Sequence, residues 1–286
     1  IFEDKKEPLF GRANNKIHLK SFTVDTLKNI LEENHPIYEN KDLLSFYIFT
    51  GGVAKYVEIF VEKKAFSFEQ QLDIIFDDFS LFLEEGKNLL IEEFGKEYTT
   101  YFSILSLIAS SKTARTEIES VLGKNIGGYL EKLENDYTLI RKVKPIFAKD
   151  GSRTVKYEII DNYFNFWFRF IYKYKSAIEI ENYEFVKDIV KRDFSVYSGK
   201  FLEKYFRDKI KLEKQYSKIG TYWEKANLNE IDIIAINELD KKALICEVKI
   251  NPRKIDIDIL KNKAIKLEKV LKSYNIEYKG LSLIDM

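Results

Sequence analysis

The chain has 286 residues, 45% hydrophobic and 33% charged, which is enough apolar material for one to three packed domains. Its 47 Lys and Arg balance 46 Asp and Glu, so no global field draws it to nucleic acid or a membrane, and any basic surface must be local. The single cysteine, Cys246, excludes an internal disulfide and a Cys-based zinc centre, and the only two histidines, His18 and His35, argue against a Ser-His-Asp triad.

No signal peptide, apolar run of membrane length or GxxxxGK-S/T phosphate loop occurs, which points to the cytoplasm and to no membrane partner. The first residue is Ile1 and the only methionine is Met286, so the sequence reads as a piece of a longer protein.

Residues 1–92 read as a loop followed by helices. Val24, Leu27, Ile30 and Leu31 recur at helical spacing after Thr23, a suitable N-cap. A second helix is expected over 41–49, a break at Gly51-Gly52, a third helix over 53–63, and a longer one over 67–85 ending near Gly86. Asp77-Asp78 and Glu84-Glu85 read as its solvated face. Two motifs, Pro8-Leu9-Phe10-Gly11-Arg12 and Thr50-Gly51-Gly52-Val53-Ala54-Lys55-Tyr56, read as turns beside a buried aromatic.

Residues 93–174 read as a winged helix followed by an aromatic connecting helix. Helices are expected over 96–110, 114–122 (capped by Thr113) and 126–136, then strands over 139–147 and 154–160 joined by Lys149-Asp150-Gly151-Ser152. The third helix, which would read DNA, sets Lys132 against Glu131, Glu134 and Asp136, a poor phosphate surface. The wing is more basic, with Arg141, Lys142, Lys144, Lys149, Arg153 and Lys156, yet a role as interdomain spacer is the favoured reading. The segment Asp161-Asn162-Tyr163-Phe164-Asn165-Phe166-Trp167-Phe168-Arg169-Phe170 reads as a buried helix joining two domains rather than a base-stacking platform.

Residues 175–286 read as an α/β unit: a helix over 199–212, a pair of strands, a helix over 257–274 and a last strand over 281–284. The apolar runs 231–236 and 243–250 flank a polar turn, as in a buried hairpin. Charge interrupts both: Asp232 in the first, Glu247 and Lys249 in the second. Residues two apart on a strand share a face, and burying charge is costly unless it is paired or metal-bound. Asp232 and Glu247, with the Val248 carbonyl and water, would suit Mg²⁺, and Lys249 would orient a water or offset phosphate charge. A cross-strand salt bridge is the plainer alternative. Cys246 reads as a small core residue.

Asp232 followed fifteen residues on by Glu247-Val248-Lys249 resembles the core of the PD-(D/E)XK nuclease superfamily, which often adds an acid on the preceding helix; Glu203 stands at the matching place. The Gly11-Arg12 and Gly51-Gly52 motifs, with the aromatic segment's D-x-Y-x-x-F-W-x-R-F pattern, resemble the carboxyl-terminal part of the prokaryotic, archaeal-type AAA+ ATPase family. Ala54 stands where that family usually has proline. The resemblance implies a multidomain α plus α/β chain: helical lid (1–92), winged helix and connector (93–174), and PD-(D/E)XK nuclease-like domain (175–286). It implies Glu203, Asp232, Glu247 and Lys249 as catalytic residues, Asp232 and Glu247 as Mg²⁺ ligands, and nucleic acid as partner. It also implies ATP binding only with the missing N-terminal ATPase core, Arg12 facing a nucleotide phosphate there, and an assembly compatible with an oligomer. The competing reading is a non-catalytic module that binds nucleic acid or protein.

Overall fold

A computed structural model of the chain describes residues 19–149, 151–152, 154–224 and 228–286, apart from the side chains of 85 and 87–89. The Pro8-to-Arg12 motif, Arg12 itself, His18, and Asp150 and Arg153 of the expected wing lie outside the described residues.

The chain is mixed α and β: helices first, then a two-stranded and a four-stranded sheet. Five helices open it: α1 (Val24–Asn34), α2 (Asn40–Thr50), α3 (Ala54–Glu62), α4 (Phe68–Ile75) and α5 (Leu81–Phe94). Thr23 caps α1 by accepting the Thr26 N–H. Leu43 to Phe49 are all buried, so α2 is the axis of this layer rather than an amphipathic surface helix. Gly51 and Gly52 both take positive φ, and a Cβ on Gly52 would lie 2.6 Å from the Phe22 carbonyl oxygen, so this reversal requires glycine. Ala54 is the first residue of α3, a position where proline is also tolerated.

The expected long helix over 67–85 is two helices. The chain turns at Asp77-Asp78-Phe79, with Phe79 at positive φ, so Asp77 and Asp78 belong to a turn rather than a helix face. Gly86 does not end a helix; it lies inside α5, where a Cβ would sit 2.8 Å from the Trp167 ring. Its lack of a side chain serves close packing, which a breaker rule misreads.

Next come α6 (Tyr98–Ala109), α7 (Arg115–Leu122) and α8 (Gly127–Asn135), then an antiparallel pair, β1 (Ile140–Val143) with β2 (Lys156–Ile159). The strands are half the expected length, and the N-cap of α7 is Ala114, not Thr113. The aromatic segment runs through α9 (Asn162–Phe166), capped by Asp161, into a π-helical stretch, Trp167–Tyr172. Phe166 and Phe170 are wholly buried, and the Trp167 indole N–H donates to the Leu83 carbonyl at 3.3 Å. Tyr163 meets Tyr56 in a tilted ring contact at 4.6 Å, tying the connector to the residues after Gly51-Gly52. These rings are buried and pack as core.

The last part holds α10 (Lys175–Glu179), α11 (Tyr183–Tyr197), α12 (Gly199–Leu212), β3 (Lys218–Tyr222), β4 (Ile231–Asn237), β5 (Lys242–Lys249), α13 (Ile257–Val270) and β6 (Asn275–Ser282). The sheet order is β3-β4-β5-β6; β4 runs antiparallel to its neighbours and β6 parallel to β5. The final strand therefore precedes the expected 281–284: Ile276, Tyr278 and Gly280 alternate along it, and 283–285 is a 3₁₀ turn. Ile234, Ile236, Ala243 and Ile245 pack on one face with Leu260, Ala264 and Leu267 of α13. Ile233, Ala235, Leu244, Cys246 and Val248 face the larger core on the α12 side.

Candidate metal-binding site on the central hairpin

Period two places Glu247 and Lys249 on the α13 face with Ala243 and Ile245. Asp232 enters the same place from β4. Its Oδ2 accepts the Val248 backbone N–H at 2.7 Å, so a carboxylate replaces a ladder carbonyl at this end of the β4–β5 pair. Asp232 and Glu247 are both buried.

Three oxygens converge on one ammonium. Lys249 Nζ lies 2.7 Å from Glu247 Oε1, 3.3 Å from Asp232 Oδ2 and 3.1 Å from the Val248 carbonyl oxygen. Burial raises the Asp232 carboxyl above the ordinary carboxylate range, opposed by the Val248 N–H and the Lys249 charge. The Lys249 amine is held above its ordinary value because its two anions outweigh its burial.

A fourth charged group was not singled out from sequence. Lys263 of α13 donates to both Glu247 oxygens, each at 3.0 Å. In the sequence it is one of five lysines, with Lys261, Lys266, Lys269 and Lys272, spread over a helix whose charged side reads by default as a solvated face. The available signal was its position three residues after Leu260 and next to Ala264, on the stripe turned toward the sheet.

Glu203 stands back from this cluster. On α12 its nearest cation is Arg207 Nη1 at 3.9 Å, and among the described residues it makes no hydrogen bond to Asp232, Glu247 or Lys249. Its carboxyl is nevertheless pushed up to about 8, first by burial and then by the Asp232 charge, so the two acids feel each other. Arg207 also reaches the Asp232 carbonyl oxygen at 3.5 Å. Among the described residues, no three His, Cys, Asp or Glu side chains group at metal-binding separations. Any metal set here is therefore two carboxylates and a carbonyl. Burial pushes the Cys246 thiol up to about 12, which makes it inert.

Three of the wing's basic residues are paired within the chain. Arg141 pairs with Glu158 at 2.9 Å, Lys142 with Glu134 at 2.6 Å and Lys156 with Glu230 at 2.7 Å. The Lys156 ammonium also lies 4.5 Å over the Trp223 ring. Lys156 thus joins the wing to the segment leading into β4.

Among the described residues, no helix is long and apolar enough to cross a membrane. No solved structure matches the chain. Residues 167–265 match the family DUF234, described as archaea bacterial proteins of unknown function; that span carries Glu203, Asp232, Glu247, Lys249 and Lys263. The chain is also similar to an uncharacterized protein of Methanocaldococcus jannaschii, 32% identical over 256 residues, covering 85% of this chain and 55% of that protein, so it spans about half the length of the curated relative it matches.

Proposed function

We propose that the β4–β5 hairpin carries a Mg²⁺-dependent phosphodiesterase site acting on nucleic acid, in the carboxyl-terminal part of an AAA+-type ATP-binding protein. The observation that carries this is the convergence of Asp232 Oδ2, Glu247 Oε1 and the Val248 carbonyl on a single cation, the Lys249 ammonium. The order α12-β3-β4-β5-α13-β6 supports it, being the helix, strands, helix, strand order a nuclease-like core needs. Arg253 and Lys254, exposed just beyond β5, offer phosphate contacts beside it.

The donor set fits a hard cation: all three atoms are oxygens, and Mg²⁺ completes its shell with water. Lys249 would have to swing out, and its side chain is 35% exposed, so the way to solvent is open. Asp232, Glu247 and the Val248 carbonyl would hold the ion, which supplies an activated water and offsets phosphate charge. Lys249, once displaced, stays tethered one residue away, where its ammonium can orient the water or meet the scissile phosphate. Lys263 holds the Glu247 carboxylate in place through both its oxygens. Glu203 adds a third acid from α12, close enough for the Asp232 charge to help raise its carboxyl.

A second reading, a non-catalytic interaction module, is favoured by one observation: both Glu247 oxygens are already engaged by Lys263, and Oε1 by Lys249 as well. A self-neutralised cluster of this kind can specify a fold without chemistry. The deciding experiment is a nuclease assay on the full-length protein with Mg²⁺ or Mn²⁺, with and without ATP, on DNA and RNA. The proposal expects metal-dependent cleavage that Glu247→Ala abolishes with the fold intact by circular dichroism. A clean preparation that cleaves neither nucleic acid, and binds no Mn²⁺ by calorimetry, leaves the interaction module standing.

A further inference from the structure

A cleft of about 680 Å³ opens between α5, α6, the π-helical connector and the start of α11, apart from the hairpin. Its size is that of a small-molecule site. Three tyrosines that are not fully buried, Tyr98, Tyr172 and Tyr183, line it, with Leu83 and Ile91 as apolar wall. Among the described residues, four exposed carboxylates rim it, Asp78, Glu84, Glu179 and Glu181, against one lysine, Lys175. None of the four forms an ion pair among the described residues, in contrast to the wing and hairpin acids.

We propose that this cleft binds a small organic cation with a flat apolar body. The cationic head lies among the tyrosine rings inside the acidic rim, and the body rests on Leu83 and Ile91. Tyrosine faces attract cations through the ring quadrupole, and quaternary ammonium groups are recognised by such aromatic cages. The cleft's own lysine already shows the preference: Lys175 Nζ lies 5.8 Å from the Tyr172 ring centroid. The negative field of the rim registers on Tyr183, whose hydroxyl is pushed above its ordinary value by burial and then by Asp78, Glu181 and Glu84. A neutral or anionic ligand would gain nothing from the rim. The exposed Phe79 ring at the mouth adds apolar area for the body.

Tyr172 stacks on Trp167 at 5.7 Å with ring planes 23° apart, so an occupant of the cage perturbs that indole. The chain has two tryptophans, and Trp223→Phe leaves Trp167 as sole reporter. The test titrates this full-chain variant with benzyltrimethylammonium and with neutral benzyl alcohol, following Trp167 emission. A saturable change with the cation, at least about fivefold weaker for benzyl alcohol, is expected from the strength of cation–π contacts. Glu179→Gln/Glu181→Gln, at exposed positions, and Tyr183→Leu should each weaken cation binding several-fold at an unchanged melting temperature. No saturable response, equal affinity for the alcohol, or variants that bind the cation like the parent would each overturn the proposal.

Discussion

The two antiparallel hairpins, β1–β2 and β4–β5, look alike in sequence: short strands with charges set among apolar residues. They differ in where the charges end up. On β1–β2 the partners are partly in water, with Arg141 and Glu158 side chains 42% and 35% exposed, and pairs of this kind are worth little. On β4–β5, Asp232 and Glu247 side chains are 10% and 8% exposed, and their oxygens crowd one ammonium. Taking carboxylates out of water is costly, and the sequence retains both at the junction of two strands and a helix. A charged hairpin is thus informative only when its acids are buried.

The largest test of that contrast is Asp232→Ala. It removes the acceptor of the buried Val248 N–H and one anion of Lys249, and should cost about 1–3 kcal/mol in a urea melt. A neutral result would place both hairpins in the same class.

A second test separates the two lysines of the hairpin site. If Lys249 occupies the cation position, Lys249→Met should tighten Mn²⁺ binding several-fold by calorimetry while lowering cleavage. Lys263→Met should not tighten it comparably, because Lys263 contacts only Glu247 within the cluster. Equal effects from the two variants would remove the cation-mimic argument.

The wing gives a smaller effect. Lys142→Ala should change stability by less than about 1 kcal/mol, the usual worth of an exposed pair. Nucleic-acid affinity, where present, should be unchanged as well. A large loss of affinity with no loss of stability would restore the wing as a DNA-contacting element.

Much of this architecture was legible in the sequence, and the failures have physical causes. The expected positions of α1, α3, α6, α8 and α12 agree with the structure within a few residues, because helix signals are local. The hairpin and its polar turn were legible because Ile-rich runs with an interposed turn admit few alternatives. Gly86 was misread because nothing local says that Trp167, eighty-one residues on, will press against it. Lys263 was missed for the same reason: its partner Glu247 lies on another element, and the lysine-rich face around it looks solvated. The joint approach of Asp232, Glu247 and Lys249 followed from period two, whereas the distance at which Glu203 stands off followed from no sequence rule.

The last test concerns α12, which links the two hairpins. Lys204 donates to the Ile160 carbonyl just beyond β2 at 2.7 Å, and Lys200 to Asn165 of the connector at 2.9 Å. Burial pushes both amines down to about 8 from an ordinary 10.5; neighbouring Arg169 lowers Lys200 further, while Asp208 opposes the shift at Lys204. A depressed amine means that between pH 8 and 10.5 the unfolded chain holds protons the folded chain has released. Stability then rises with pH through that window, and the gain is lost as pH falls through 8. Urea midpoints should be compared at about pH 7.5 and about pH 9, where ordinary tyrosines are still about nine-tenths protonated. The wild type should become more stable at the higher pH, and Lys200→Met should gain less than the wild type by the share of one lysine. An identical pH gain in both proteins would mean that Lys200 keeps an ordinary pKa, and that the link between the hairpins is solvated like the wing rather than buried like the β4–β5 site.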